Sequence, residues 1–198
     1  MRRLQFTAVC AMAGALALAG CATAPSTQVT RFHLPQPIAR GQIAVEPLAP
    51  GAQDSIEFQT YASVVGAELA RLGFSEAAGL GKSEQVAGIM VERGTREGLR
   101  RSGLTIGIGG GSYGYRGGGV GGGVSFPVGG NRPNEITSTR LIVQIKRRSE
   151  GTVIWEGRAE TTAPAGSPAA QPAEAVSKLS AALFKDFPGV SGRTITVK

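Results

Sequence analysis

The sequence predicts an α+β fold: an antiparallel sheet with two amphipathic helices packed on one face, plus a long Gly-rich hairpin or loop. Three patterns lead to that expectation. Two stretches carry apolar residues at three- and four-residue spacing, which puts them on one face of a helix. Others alternate apolar and polar residues, the period of a half-buried strand. Between them, Gly103 to Gly130 holds 14 glycines in 28 residues. Amphipathic helices and one-sided strands bury their apolar faces most simply as two layers, helices on one face of a sheet.

Taken in order, the chain begins with Arg2 and Arg3, a short apolar stretch, and then Leu18-Ala19-Gly20-Cys21. A basic start, an apolar middle and small residues at the cut are the layout of a secretory signal. Phe6 to Ala19 falls short of the roughly 20 apolar residues that a membrane span needs. A cysteine directly after Leu-Ala-Gly resembles the lipobox of bacterial lipoproteins. That resemblance implies cleavage before Cys21, a diacylglyceryl group on its thiol and an acylated amino end. A single acyl chain holds a protein only marginally, whereas two or more hold it stably. Position 22 is Ala; it is not the Asp that resembles an inner-membrane retention signal, so the periplasmic face of the outer membrane is the expected location. The expected organisation is a signal peptide over 1–20, a tether over 21–29 and a single periplasmic domain over 30–198, with the glycine-rich segment 103–130 inside it.

Two short strand-like runs, Thr30 to Leu34 and Gln42 to Glu46, open the domain, separated by Pro35, Pro37 and Gly41. Asp54 followed by Glu57 resembles a capping box. Phe58, Tyr61, Val65, Leu69 and Leu72 then share one helical face, and Gly73 ends the helix. Val86 to Glu92 reads as a strand. Leu141, Val143 and Ile145 alternate with Ile142, Gln144 and Lys146. A turn through Ser149-Glu150-Gly151 leads to Val153, Trp155, Gly157 and Ala159, alternating with Ile154, Glu156, Arg158 and Glu160. These two runs predict a hairpin. Pro172 suits the first position of a second helix, with Val176, Leu179, Leu183, Phe184 and Phe187 on its buried side. Pro188-Gly189 stops it, and Thr194 to Val197 adds an edge strand.

The glycine tract contains Gly109-x-Gly111-x-x-Gly114. A dinucleotide fingerprint needs a strand before it and a helix after it, and here more glycine follows. A long hairpin fits better. Leu104, Ile106 and Ile108 form one arm, Val120, Val124, Phe126 and Val128 the other, and Tyr113 and Tyr115 stand near the tip. Glycine weakens a strand, so two readings stay open: a bare face approached by another backbone, lipid or glycan, or a low-complexity loop without a partner. Edge-to-edge joining of such hairpins from several copies is a third idea.

The order of these features is similar to the bacterial lipoproteins catalogued as domain of unknown function 4136. The features are the lipobox, the helix closing on Leu72-Gly73-Phe74 and Tyr113-Gly114-Tyr115 in the glycine tract. The hairpin with Trp155-Glu156-Gly157 and the last helix closing on Phe187-Pro188 complete them. Arg147-Arg148-Ser149 stands where such proteins often carry an aspartate, and Ser83-Glu84-Gln85 is a weak form of their acidic signature. The resemblance implies fold and location and no mechanism.

Composition narrows the chemistry. Removing residues 1–20 leaves 178 residues, enough for one domain burying about 70% of its unfolded surface. Both cysteines, Cys10 and Cys21, are then spoken for, so no disulfide, zinc cluster or cysteine nucleophile is expected. Loss of Arg2 and Arg3 leaves 19 basic against 14 acidic side chains, a formal +5. Nucleic acid is a poor partner for an exported lipoprotein; an anionic lipid or wall surface, or plain solvation, accounts better for the scattered cations. His33 is the single histidine, which excludes a multi-histidine metal site. Paired carboxylates could hydrolyse glycans, but Glu156 and Glu160 share their strand face with Arg158, as in a solvated charge ladder. The expectation is a membrane-anchored, non-enzymatic binding or scaffold module with lipid on Cys21, no cofactor, and an envelope protein or cell wall as partner. The alternative is a cell-wall-directed hydrolase using carboxylates.

Overall fold

The computed structural model describes residues 26–77, 83–97, 105–108, 124–127 and 135–198. The elements are β1 (Thr27–His33), β2 (Gln42–Pro47), α1 (Ile56–Arg71), β3 (Ser75–Glu76) and β4 (Gln85–Glu97). They continue as β5 (Thr105–Ile108), β6 (Val124–Pro127), β7 (Glu135–Arg147), β8 (Val153–Pro164), α2 (Pro172–Phe184) and β9 (Arg193–Val197), with a short 3-10 turn at Pro168–Ala170. Seven strands form one sheet in the order β3-β2-β4-β7-β8-β1-β9, and β5 and β6 pair as a second, two-stranded sheet among the described residues. No helix among the described residues is long and apolar enough to cross a membrane.

The sheet is mixed, which corrects the expected antiparallel one. β2 runs parallel to both β3 and β4, while β4-β7, β7-β8, β8-β1 and β1-β9 are antiparallel. The physical reason is connectivity. Parallel neighbours need a crossover, and α1 supplies it between β2 and the strands that follow. The start of the domain also shifts: β1 begins at Thr27, with Thr27 and Val29 fully buried, so these residues belong to the sheet and not to a tether. β4 runs on to Glu97, well past Glu92, because its register with β7 continues to Glu97 opposite Glu135.

The first helix is capped by Ser55, whose Oγ accepts from the Phe58 N–H at 3.4 Å; Asp54 is not the cap. The helix leaves through a Schellman turn. The Phe74 N–H reaches the Leu69 carbonyl and the Gly73 N–H the Ala70 carbonyl, with Gly73 at φ +91° where a side chain would be strained. Pro172 opens α2 as expected.

Both helices pack on one face of the sheet. Tyr61, Val65 and Leu69 of α1 and Val176, Leu179 and Leu183 of α2 meet Val29, Leu141, Val143, Ile145, Trp155 and Ala159 in one core. Trp155 is fully buried, stacked on Phe184 at 5.6 Å and tilted against Phe187 at 5.1 Å, with its Nε1 donating to the Pro188 carbonyl. Such ring pairs contribute about 0.5–1.5 kcal/mol beyond area burial. Arg40 closes this cluster at the surface, its guanidinium 5.1 Å from the Phe74 ring and 4.9 Å from that of Phe187.

Of the glycine-rich region, the antiparallel pair Thr105–Ile108 with Val124–Pro127 is described, in a register that sets Ile106 opposite Phe126 and Ile108 opposite Val124. The expected arm positions Leu104, Val120 and Val128 and the tip tyrosines Tyr113 and Tyr115 lie outside the described residues, as does Cys21.

Candidate functional site

With the helices on one face, the other face of β4, β7, β8, β1 and β9 presents the remaining alternate residues, and strand register arranges them in rows. One row runs Glu92, Arg140, Glu160, Gln28, Thr196 across five strands. The next runs Met90, Ile142, Arg158, Thr30, Thr194, and a third runs Gly88, Gln144, Glu156, Phe32. Neighbouring strands lie about 4.8 Å apart, so a five-residue row spans about 19 Å. Gln28, Thr30, Arg140, Ile142, Arg158 and Glu160 line a shallow depression of about 260 Å³ at its middle.

The charged groups of these three rows are tied to one another. Arg140 donates through Nε and Nη2 to Glu160 at 3.2 and 2.9 Å, and through Nη1 to Glu92 at 3.2 Å. Ser138 adds a bond to Glu160 at 2.8 Å. Arg158 pairs with Glu156 at 2.6 Å, and Gln144 donates to the same carboxylate at 2.9 Å. The hydrogen bonds from Arg140 and Ser138 hold the Glu160 carboxyl below its ordinary range, and the bond to Glu160 raises Arg140 in turn.

Glu156 and Glu160 therefore stand where the alternation placed them, each bound by a guanidinium and a neutral donor. His33 sits at the end of β1, its Nδ1 2.9 Å from the Leu34 carbonyl and its Nε2 3.2 Å from that of Gly189. Backbone carbonyls, not carboxylates or hydroxyls, surround that ring in these contacts. Among the described residues no group of three or more His, Cys, Asp or Glu could hold a metal ion.

Sequence reasoning missed Arg140, Gln28, Thr30 and Phe32 as members of this face. Periodicity gives the face of each residue along its own strand. Which residue of β1 meets which of β8 is a register, fixed by long-range pairing, and no local signal carries it. It also missed Arg31, which is only 3% exposed and runs to the helix side of β1. Its guanidinium donates to the carbonyls of Leu183 at 2.9 Å, Ala182 at 3.0 Å and Lys185 at 2.8 Å, so it caps the C-terminal end of α2. Burial lowers this guanidinium from its ordinary value, partly opposed by Asp186.

The chain belongs to the family described as domain of unknown function DUF4136, whose model matches residues 24–189. That range takes in the sheet from β1 through β8 and both helices, and leaves β9 outside. The uncharacterized protein ZMO1243 of Zymomonas mobilis is 32% identical over 213 residues, covering 86% of this chain and 80% of that protein. Among solved structures, a PDZ domain protein from Parabacteroides distasonis superposes with a TM-score of 0.51 at 10% identity. The match covers 93% of this chain and 42% of that one, so the chain spans less than half of that protein's length, and the likeness concerns the fold alone. A PelC dodecamer from Paraburkholderia phytofirmans matches with a TM-score of 0.44 at 16% identity, over 79% of this chain and 92% of that one.

Proposed function

Starting from that membership, we propose that the protein is a membrane-anchored envelope lipoprotein whose domain serves as a non-enzymatic binding or scaffold module. In this reading the anchor is lipid on Cys21, the compartment is the periplasmic face of the outer membrane, and the working surface is the helix-free face of the sheet. The observation that carries it is the internally paired polar lattice. A carboxylate pair that hydrolyses glycans needs one member raised toward neutrality as the acid; Glu160 is held in the opposite direction by Arg140 and Ser138, and Glu156 is tied to Arg158 and Gln144. Locked, planar hydrogen-bonding groups on rigid strands suit recognition rather than proton transfer.

The pairing of β5 with β6 supports the finer expectation that the glycine-rich segment forms one long hairpin. No cofactor is invoked, and nucleic acid is not a partner in this reading.

The test is fractionation of cells making the full chain or its Cys21→Ala variant, with intact-mass measurement of the product. The reading expects a chain starting at Cys21, heavier by its acyl groups and found in outer-membrane vesicles, and a variant that loses both properties. A wild-type chain that is unmodified and leaves the membrane fraction in buffer alone contradicts it. Release of reducing sugar from wall polymer, abolished in Glu156→Gln or Glu160→Gln with the fold intact, would establish the hydrolase alternative instead.

A further inference from the structure

β1 is locked into the sheet from its first residue. Thr27 pairs with Thr161 of β8 on one side and Val197 of β9 on the other, and it is fully buried. With lipid on Cys21, only residues 21–26 separate the anchor from this fixed point. At about 3.3–3.6 Å per residue, that tether spans about 20 Å at full stretch. The row through Thr27 runs Arg93, Thr139, Thr161, Thr27, Val197. β4 and β7 continue past this row to Glu97 opposite Glu135, and β8 continues to Pro164 opposite Ile136. At about 3.3 Å per residue, this three-stranded tongue stands about 13 Å beyond the point where the tether leaves the sheet. Glu92 to Glu97 are exposed along it, on both sides of the strand.

The opposite end of the sheet offers a bilayer more apolar surface. Phe32, Leu34, Val153 and Val190 are all exposed there, where β1 finishes and the Leu34 N–H donates to the Ile154 carbonyl. Chain length decides against that end. Leu34 lies about 23 Å from Thr27 along the line of β1, so an inverted domain needs the tether doubled back along the whole strand. At about 20 Å the tether falls short. The chemistry of the connecting chain agrees with the tongue end. By sequence, residues 98–134, which join Glu97 to Glu135, carry Arg100, Arg101, Arg116 and Arg132 with no Asp or Glu. Anionic headgroups attract basic segments held beside a bilayer.

We propose that the end of the sheet at which β1 begins is seated on the anchoring bilayer, with the tongue of β4, β7 and β8 against its headgroups. The inference deepens the proposed function and rests on its lipid anchor. Two contacts, the acyl chains and the tongue, orient the domain where the tether by itself would let it swing. The strands then stand upright on the membrane, and the rows of the helix-free face lie parallel to it. A partner reaches that face from the side, and the exposed Phe32, Leu34, Val153 and Val190 point away from the lipid.

The test places one fluorophore at either end of the full-length protein, purified from cells and reconstituted into vesicles of phosphatidylcholine and phosphatidylglycerol. With Cys10 removed and Cys21 acylated, an introduced cysteine is the sole thiol to label. Glu97→Cys and Lys198→Cys mark the seat, and Glu150→Cys marks the turn between β7 and β8 at the other end. A nitroxide carried on the lipid headgroup quenches labels that reach it. Glu97→Cys and Lys198→Cys should lose most of their fluorescence, and Glu150→Cys should keep its own. Lys198, at the chain terminus, reads the same end if a label on Glu97 disturbs the tongue. Equal quenching at both ends, quenching of Glu150→Cys alone, or quenching at neither end overturns the proposal. Failure of the anchor itself shows differently: the unlabelled wild type would not float with the vesicles, and the seat would fall with it.

Discussion

Replacing Gly157 with alanine places a methyl group where the core leaves no room. A Cβ built there meets Trp155 Cη2 first, then lies 2.7 Å from Leu183 Cδ1 and 3.0 Å from Trp155 Cζ2. The indole cannot step aside, being fully buried, stacked on Phe184 and hydrogen-bonded through Nε1 to Pro188. Overpacking of this kind costs about 1–3 kcal/mol. Against it stands the gain from removing a glycine from a strand interior, about 0.5–1 kcal/mol. The clash wins, by about 1–2 kcal/mol net, and for a domain of this size that lowers Tm by about 2–8 °C. Two other glycines calibrate the comparison. Gly94, also in a strand, has nothing within 4 Å of an added Cβ, so Gly94→Ala should raise Tm by about 1–4 °C. At Gly88 the added carbon meets Leu48 Cδ2 at 2.5 Å, the movable end of a side chain, so Gly88→Ala should fall between the two. Thermal melts followed by circular dichroism, near-ultraviolet for Trp155 and far-ultraviolet for the sheet, read all three. A Gly157→Ala protein that melts at or above the wild type would refute the packing argument.

Arg31→Met should cost about 3 kcal/mol, since it strands three carbonyls at the end of α2 that the guanidinium now satisfies; urea unfolding measures it, and a loss below about 1 kcal/mol would dismiss the cap. Burial and the hydrogen bond to Glu57 push the Tyr61 phenol up to about 12. Its folded value lies above the unfolded one, so its contribution is complete below about pH 10 and is lost as pH rises toward 12. Absorbance titration of phenolate should therefore show one late-ionising tyrosine, absent in Tyr61→Phe. The Glu160 carboxyl is shifted the other way, chiefly by its bond from Arg140. It contributes stability above the unfolded carboxylate range, which is lost as pH falls through its lower folded value. Glu160→Gln should flatten that acid limb, and because the pair is part-exposed the effect should shrink in high salt.

The elements legible in the sequence were those whose signal is local. The β7–β8 hairpin, the apolar stripe of α1, Gly73 at its end and Pro172 at the start of α2 all follow from spacing or from one residue's backbone preference. The parallel run of β2 beside β4 was not legible, because nothing in Gln42 to Pro47 records the direction of a partner more than forty residues on. Thr27 and Val29 looked like tether because they stand among small polar residues, yet pairing on both sides, with β8 and β9, draws them into the sheet. The candidate face was half legible. Alternation put Glu156, Arg158 and Glu160 together, but Gln28, Thr30, Phe32 and Arg140 join them through registers with β1 and β7. Arg31 shows the same limit from the other side: a charged residue in a short strand reads as exposed until the end of a distant helix arrives over it.

The central claim is that an anchored domain uses the helix-free face of its sheet to hold something in the envelope. The measurement that tests it most directly is photo-crosslinking in living cells from Thr30, at the centre of that face, against Glu174 on α2, followed by mass analysis of the adducts. The account predicts a discrete adduct from Thr30 that is missing from Glu174 and weakened by Arg158→Ala. Equal, featureless labelling from both positions, or a discrete adduct from Glu174 alone, would contradict it.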